Sequence, residues 1–165
     1  VVLGVVDTLQ TLPSFVYLMP VVMLFRVGDF TAMVAVVAYS LAPVIRYTGH
    51  GIRGIDPQLI EAGVASGCTP LQILVKIKLK LALPEMILGL NQTIMLAISM
   101  LVITALVGTR DLGQEVYIAL AKADTGRGIV AGLAVAFIAI IADRLLTAAA
   151  ERVRIRLGLP KTRTT

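Results

Sequence analysis

Residues 60–84 read IEAGVASGCTPLQILVKIKLKLALP, and the fold turns on where this stretch lies. Phe30 to Ile45 before it and Met86 to Val107 after it are long runs without a charge. The stretch itself is too polar to span a bilayer, so it belongs on the aqueous side of a membrane. Asp56-Pro57 opens it. An N-cap Asp accepts from a free backbone N–H, and Pro suits the first helical position because its missing donor costs nothing there. This predicts a short helix over residues 58–65 that ends near Gly67, with a break at Thr69-Pro70. Leu59, Gly63 and Gly67 follow at spacing four. In a polar loop, small residues at that spacing read either as a docking knob for a soluble partner or as an ordinary amphipathic loop helix.

Residues 74–81 alternate apolar with Lys76, Lys78 and Lys80. Alternation usually signals a strand, but an open strand edge cannot lie in lipid. Three lysines at a bilayer centre would cost roughly 2.5–3.5 kcal/mol each. They therefore mark the membrane surface, on an interfacial helix or elbow, with Lys76 and Lys80 on one face.

Composition agrees with a polytopic membrane protein. Of 165 residues, 58% are hydrophobic and mean hydropathy is +0.91, above the range of a soluble domain. Four spans are predicted, at about 8–25, 30–46, 86–107 and 129–148, with a coupling loop over about 47–85, all in one domain. Pro20 and Pro43 bend the first two spans. Residues 47–55 hold Gly49, Gly51 and Gly54 and read as loop. Val1 to Thr11 reads as the tail of an earlier element or an interfacial segment, and the abrupt apolar start carries the expectation of earlier spans. Gln114 to Ala123 reads as a surface helix. Gly128 and Gly132 form a second small pair, placed to pack helix on helix.

Asn91, Gln92, Thr93 and Ser99 interrupt the span at 86–107. Polar side chains in lipid are unfavourable, so they face other helices or a water-filled path. Interhelical glue and a translocation pathway both fit. Asp143, which follows the last apolar run at 129–142, calls either for a partner in another span or for a place at the interface. His50 has no second ligand nearby, and one cysteine, Cys68, excludes an internal disulfide. The sequence holds no Walker loop, GxSxG or HExxH, so no catalytic site and no cofactor is assigned to this chain.

The net charge of +5 is distributed as orientation requires rather than as nucleic-acid binding would. If the 46–85 loop and the C-terminal end share a side, that side holds eleven of the fifteen Lys and Arg. The positive-inside rule then places both in the cytoplasm, with both visible ends inside.

Glu61-Ala62-Gly63, Gly67, Ile77 and Leu79 resemble the EAA loop of ABC importer membrane subunits, whose pattern is E-A-A, three residues, G, nine residues, I-x-L-P. Gly63 stands where the second Ala is usual, and Lys80 where the Pro is usual. The segments LQTLPSFVYL at 9–18, IRGI at 52–55, LNQTIM at 90–95 and Leu112-Gly113 look like the membrane subunit of glycine betaine/proline betaine importers. The resemblance implies an all-α type I importer permease core in a bacterial inner membrane. It implies that Glu61, Ala62, Gly63 and Gly67 couple to a separate ATPase subunit carrying ATP and Mg. It also implies a periplasmic or lipid-anchored substrate-binding protein and a second permease copy. The solute would be an osmoprotectant. Choline, carnitine or an amino acid are alternatives, and a membrane scaffold or channel is the reading from a different class.

Overall fold

Pro13, in extended geometry, marks where the first helix begins. In the computed structural model, which describes Gly4 and residues 11–159, α1 runs Ser14–Phe25. Its 12 residues rise about 18 Å, short of a ~30 Å hydrocarbon core. The start of the expected first span, most of the segment at 1–11, and Lys161 and Arg163 of the basic tail lie outside the described residues.

Arg26 ends α1 with φ 65°, and its amide donates to the Val22 carbonyl at 2.8 Å. The Thr31 hydroxyl donates back to the Arg26 carbonyl. The rings of Phe25 and Phe30 meet edge to face at 5.2 Å, a favoured aromatic geometry. These contacts fold α1 back along α2, which runs Asp29–Arg53.

α2 corrects one expectation. Residues 47–53 are helical, not loop. Each Gly in a helix costs about 1 kcal/mol, and here tertiary packing offsets that cost. A Cβ on Gly51 would lie 2.8 Å from the Glu85 Cβ, and one on Gly89 would lie 2.7 Å from the Tyr47 Cβ. The glycines let two long helices touch backbone to side chain, as small residues do where helices pack in membranes. Ala82, whose Cβ would lie 3.3 Å from one on Gly51, is fully buried there. Pro43, inside α2, cannot donate to the Tyr39 carbonyl four residues earlier.

α3 runs Pro57–Ala65. The next helix, α4, spans Pro70–Val107 without interruption. It is α-helical over Leu79–Thr104 and π-helical over Ile73–Lys78, with the Leu79 amide bonded to Leu74, five residues back. The lysine-bearing stretch is thus the foot of the span, with no elbow between them. Alternation arises there on a helix because Lys76, Lys78 and Lys80 flank the inward Ile77.

α5 covers Leu112–Ala121, capped by Asp111, which accepts from the Gln114 amide at 3.0 Å. α6 covers Thr125–Arg156, capped by Asp124. Arg127 Nε on α6 donates to Glu115 Oε2 on α5 at 2.7 Å. A Cβ on Gly128 would sit 3.5 Å from Ala119, so that glycine packs on α5, whereas nothing lies within 4 Å of Gly132. A buried cluster of Leu18, Ala35, Met100 and Val107, flanked by Tyr17 and Tyr39, joins α1, α2 and α4. Among the described residues three helices, α2, α4 and α6, are long and apolar enough to cross a membrane. Among the described residues the fold is all-α, with no strand.

Candidate functional site

The short helix α3 is built as its sequence dictates. Asp56 Oδ1 accepts from the Gln58 amide at 2.9 Å, and Pro57 opens the first turn. At the other end the Cys68 amide bonds the Gly63 carbonyl at 3.1 Å, and the Gly67 amide bonds Val64 at 2.9 Å. This is a Schellman closure, which requires a left-handed residue at its centre. Gly67 supplies it with φ +76°. The Thr69–Gln72 capping box then starts α4, with the Thr69 amide on Gln72 Oε1 at 3.0 Å.

Leu59, Gly63 and Gly67 do not form one outward docking face. Gly63 is buried and turned toward the chain's own foot segment. A Cβ there would lie 2.6 Å from Ile77 Cδ1, with Ile73 Cγ1 at 3.7 Å. Gly63 therefore lets α3 lie directly on the π-helical turn of α4. Glu61 and Ala62 are exposed, as are Leu59 at 46% and Val64 at 60%, and together they form the open side of α3.

The four polar residues of α4 separate. Asn91 Nδ2 donates to Asp143 Oδ1 on α6 at 2.7 Å, so this pair joins two helices and gives Asp143 its partner. Ser99 donates to the Met95 carbonyl of its own helix at 2.9 Å. Thr93 Oγ1 is buried without a partner among the described residues. Gln92 is exposed and lines a cavity of about 400 Å³ with Tyr39, Pro43, Arg46, Tyr47 and Leu96. Sequence reasoning did not assemble that wall. Its signal was present as Tyr39, Pro43, Arg46 and Tyr47 at helical spacing.

Arg154 near the end of α6 approaches Glu85 at 3.6 Å. Both line a second cavity with His50, Asp56 and Leu59. The end of α6 and α3 thus lie at one end of the bundle. At the other end Asp29, Thr109, Arg110 and Asp111 gather around the α2–α4 groove. Among the described residues no group of three or more His, Cys, Asp or Glu is placed to hold a metal.

Residues 1–155 match the family of the binding-protein-dependent transport system inner membrane component. The chain belongs to that family. It is 45% identical over 144 residues to the glycine betaine/carnitine transport permease protein GbuB of Listeria monocytogenes, covering 87% of this chain and 51% of that protein. It is 42% identical over 150 residues to the glycine betaine/proline betaine transport system permease protein ProW of Escherichia coli, covering 91% and 42%. It is 46% identical over 158 residues to the trimethylamine N-oxide transport system permease protein TmoV of Pelagibacter ubique, covering 95% and 22%. The chain thus spans about half or less of the length of these relatives. The fold is similar to that of the inward-facing MetNI methionine ABC transporter, with a TM-score of 0.81 at 20% identity over 91% of this chain and 73% of that one.

Proposed function

We propose that this chain is the membrane-spanning part of an ATP-driven importer for methylated amine osmoprotectants of the glycine betaine/proline betaine type. It contributes no catalytic site. ATP and Mg sit on a separate ATPase subunit, whose closure pushes on α3. The observation that carries this is the seating of Gly63 on Ile77. α3 is fixed to the foot of a long apolar helix, and its other side is left open. A push on Glu61, Ala62 or Val64 is then passed to α4 without a flexible joint. Helices that cross the membrane can re-aim a cavity in this way, by small rigid-body shifts.

The relatives named for glycine betaine support the solute class, and the one named for trimethylamine N-oxide supports a second member of it. The partners are the ATPase, a periplasmic or lipid-anchored binding protein, a second permease copy and membrane lipid, with no nucleic acid. The basic residues at the α3 end of the bundle support a cytoplasmic position for that end. Glu61, Ala62, Gly63 and Gly67 form the coupling site, and Asn91, Gln92, Thr93 and Ser99 belong to the α4 wall beside the path.

The test is reconstitution of the whole importer in proteoliposomes, with ATP hydrolysis and glycine betaine uptake measured together. Glu61→Lys is expected to keep the complex assembled while uptake per ATP falls. Normal uptake per ATP in that variant contradicts the coupling role. Uptake of no methylated amine by the wild-type complex contradicts the solute class. Conduction without ATP points to a channel.

A further inference from the structure

We propose that the cavity bounded by Tyr39, Tyr47, Arg46 and Gln92 is a transit site in the membrane for a dipolar methylated amine, one bearing both a quaternary or N-oxide nitrogen and an anionic oxygen. The inference rests on the proposed solute class and adds to it a place in the chain and a rule of selection.

Three observations carry it. The cavity holds about 400 Å³ and opens between α2 and α4, two helices that cross the apolar layer. That is room for a compact solute within the usual size of ligand sites. Second, Gln92 makes no side-chain hydrogen bond among the described residues, although it stands near mid-span on the longest apolar helix. An amide without a partner is costly in hydrocarbon. Water or a polar solute in the cavity satisfies it. Third, two phenol rings share the wall. Tyr39 is held edge to face against Tyr17 at 5.5 Å, and the Tyr47 Cβ is seated against Gly89, so both rings are anchored at their bases. Aromatic faces attract methylated ammonium groups, which are too weakly hydrated to require a hydrogen-bond acceptor.

Arg46 adds the selection. Its guanidinium puts positive charge on the same wall. A solute with a carboxylate or N-oxide oxygen meets that charge favourably, with the oxygen toward Arg46 and the methylated nitrogen toward the rings. A methylated cation without an anionic oxygen meets the same rings, but from Arg46 it meets only repulsion.

The experiment uses the full importer in proteoliposomes and compares ATP-driven uptake of labelled glycine betaine and choline. Tyr47→Phe keeps the ring and is expected to retain betaine uptake within about twofold. Tyr47→Leu removes the ring but keeps the Cβ that packs on Gly89, and betaine uptake is expected to fall roughly three- to thirtyfold. Gln92→Leu should lower it as well. Arg46→Gln should raise choline uptake relative to betaine. Tyr117→Leu, on the exposed side of α5, is the control and leaves uptake unchanged. Betaine uptake that survives Tyr47→Leu overturns the transit site alone, as does an equal fall in Tyr47→Phe and Tyr47→Leu. A wild-type complex that takes up neither solute contradicts the solute class, and the site's ligand with it.

Discussion

Asn91 and Asp143 are 52 residues apart in sequence and meet at 2.7 Å, amide to carboxylate, between α4 and α6. The pair is a side-chain hydrogen bond between these two helices, which the Arg154–Glu85 ion pair also joins. It explains how a charged residue is tolerated at the end of an apolar run. A carboxylate in that setting needs a donor, and a neighbouring span provides it.

Removing the donor is therefore expected to cost more than removing both groups. Asn91→Leu leaves Asp143 without its donor, and should lower stability in detergent by about 1–3 kcal/mol. Asn91→Leu combined with Asp143→Leu should recover part of that loss. A double-mutant cycle by thermal unfolding checks it, and the expected coupling is about 0.6–1.7 kcal/mol. Purely additive losses would show that the contact does not hold α6 to α4.

The seat of α3 on α4 makes a graded prediction at Gly63. An added Cβ meets Ile77 at Cδ1, the flexible tip of that side chain. Gly63→Ala is expected to be absorbed by rotation of Ile77, with uptake per ATP changed by less than about twofold. Gly63→Leu cannot be absorbed and should lift α3 off the π turn, lowering uptake per ATP by at least about tenfold, since overpacking costs about 1–3 kcal/mol. Gly63→Leu with Ile77→Ala should regain part of the coupling.

Gly67 acts through the backbone and not through space. No atom lies within 4 Å of its would-be Cβ, but its φ is +76°. Gly67→Ala forces a side chain into the left-handed region at about 1–2 kcal/mol, and Gly67→Asn should cost less. Hydrogen exchange at the Gly67 and Cys68 amides reports this directly. Faster exchange is expected in the Ala variant, with the long helices unaffected. Unchanged exchange would mean that the Schellman closure does not hold the end of α3.

Local chemistry made the ends of α3 legible in the sequence. Asp56-Pro57, Gly67 and Thr69-Pro70 each encode a cap or a stop within a few residues, and the structure keeps them. The apolar runs likewise announced the long helices. What was illegible depended on distant partners. Gly51 read as loop because the cost of a helical glycine is local, while its compensation, the contact with Glu85, comes from another helix. The alternation at 74–81 concealed a π turn, since neither period describes a turn of five-residue bonds. Gly63 read as outward because nothing in its own neighbourhood shows that Ile77 covers it. Among Asn91, Gln92, Thr93 and Ser99, polarity alone gave no ranking, and only the positions of Asp143, Tyr39 and Tyr47 separate them.

The account stands on α3 being the surface that the ATPase touches. A single cysteine at Val64→Cys, on the open side of α3 and 60% exposed, in a Cys68→Ser background, tests this in the assembled importer. A short thiol-reactive crosslinker should join that cysteine to the ATPase subunit, while Val130→Cys on α6, 71% exposed, should give no such product. An assembled complex in which Val64→Cys never crosslinks to the ATPase, or reacts with an impermeant reagent from outside intact cells, would contradict the account.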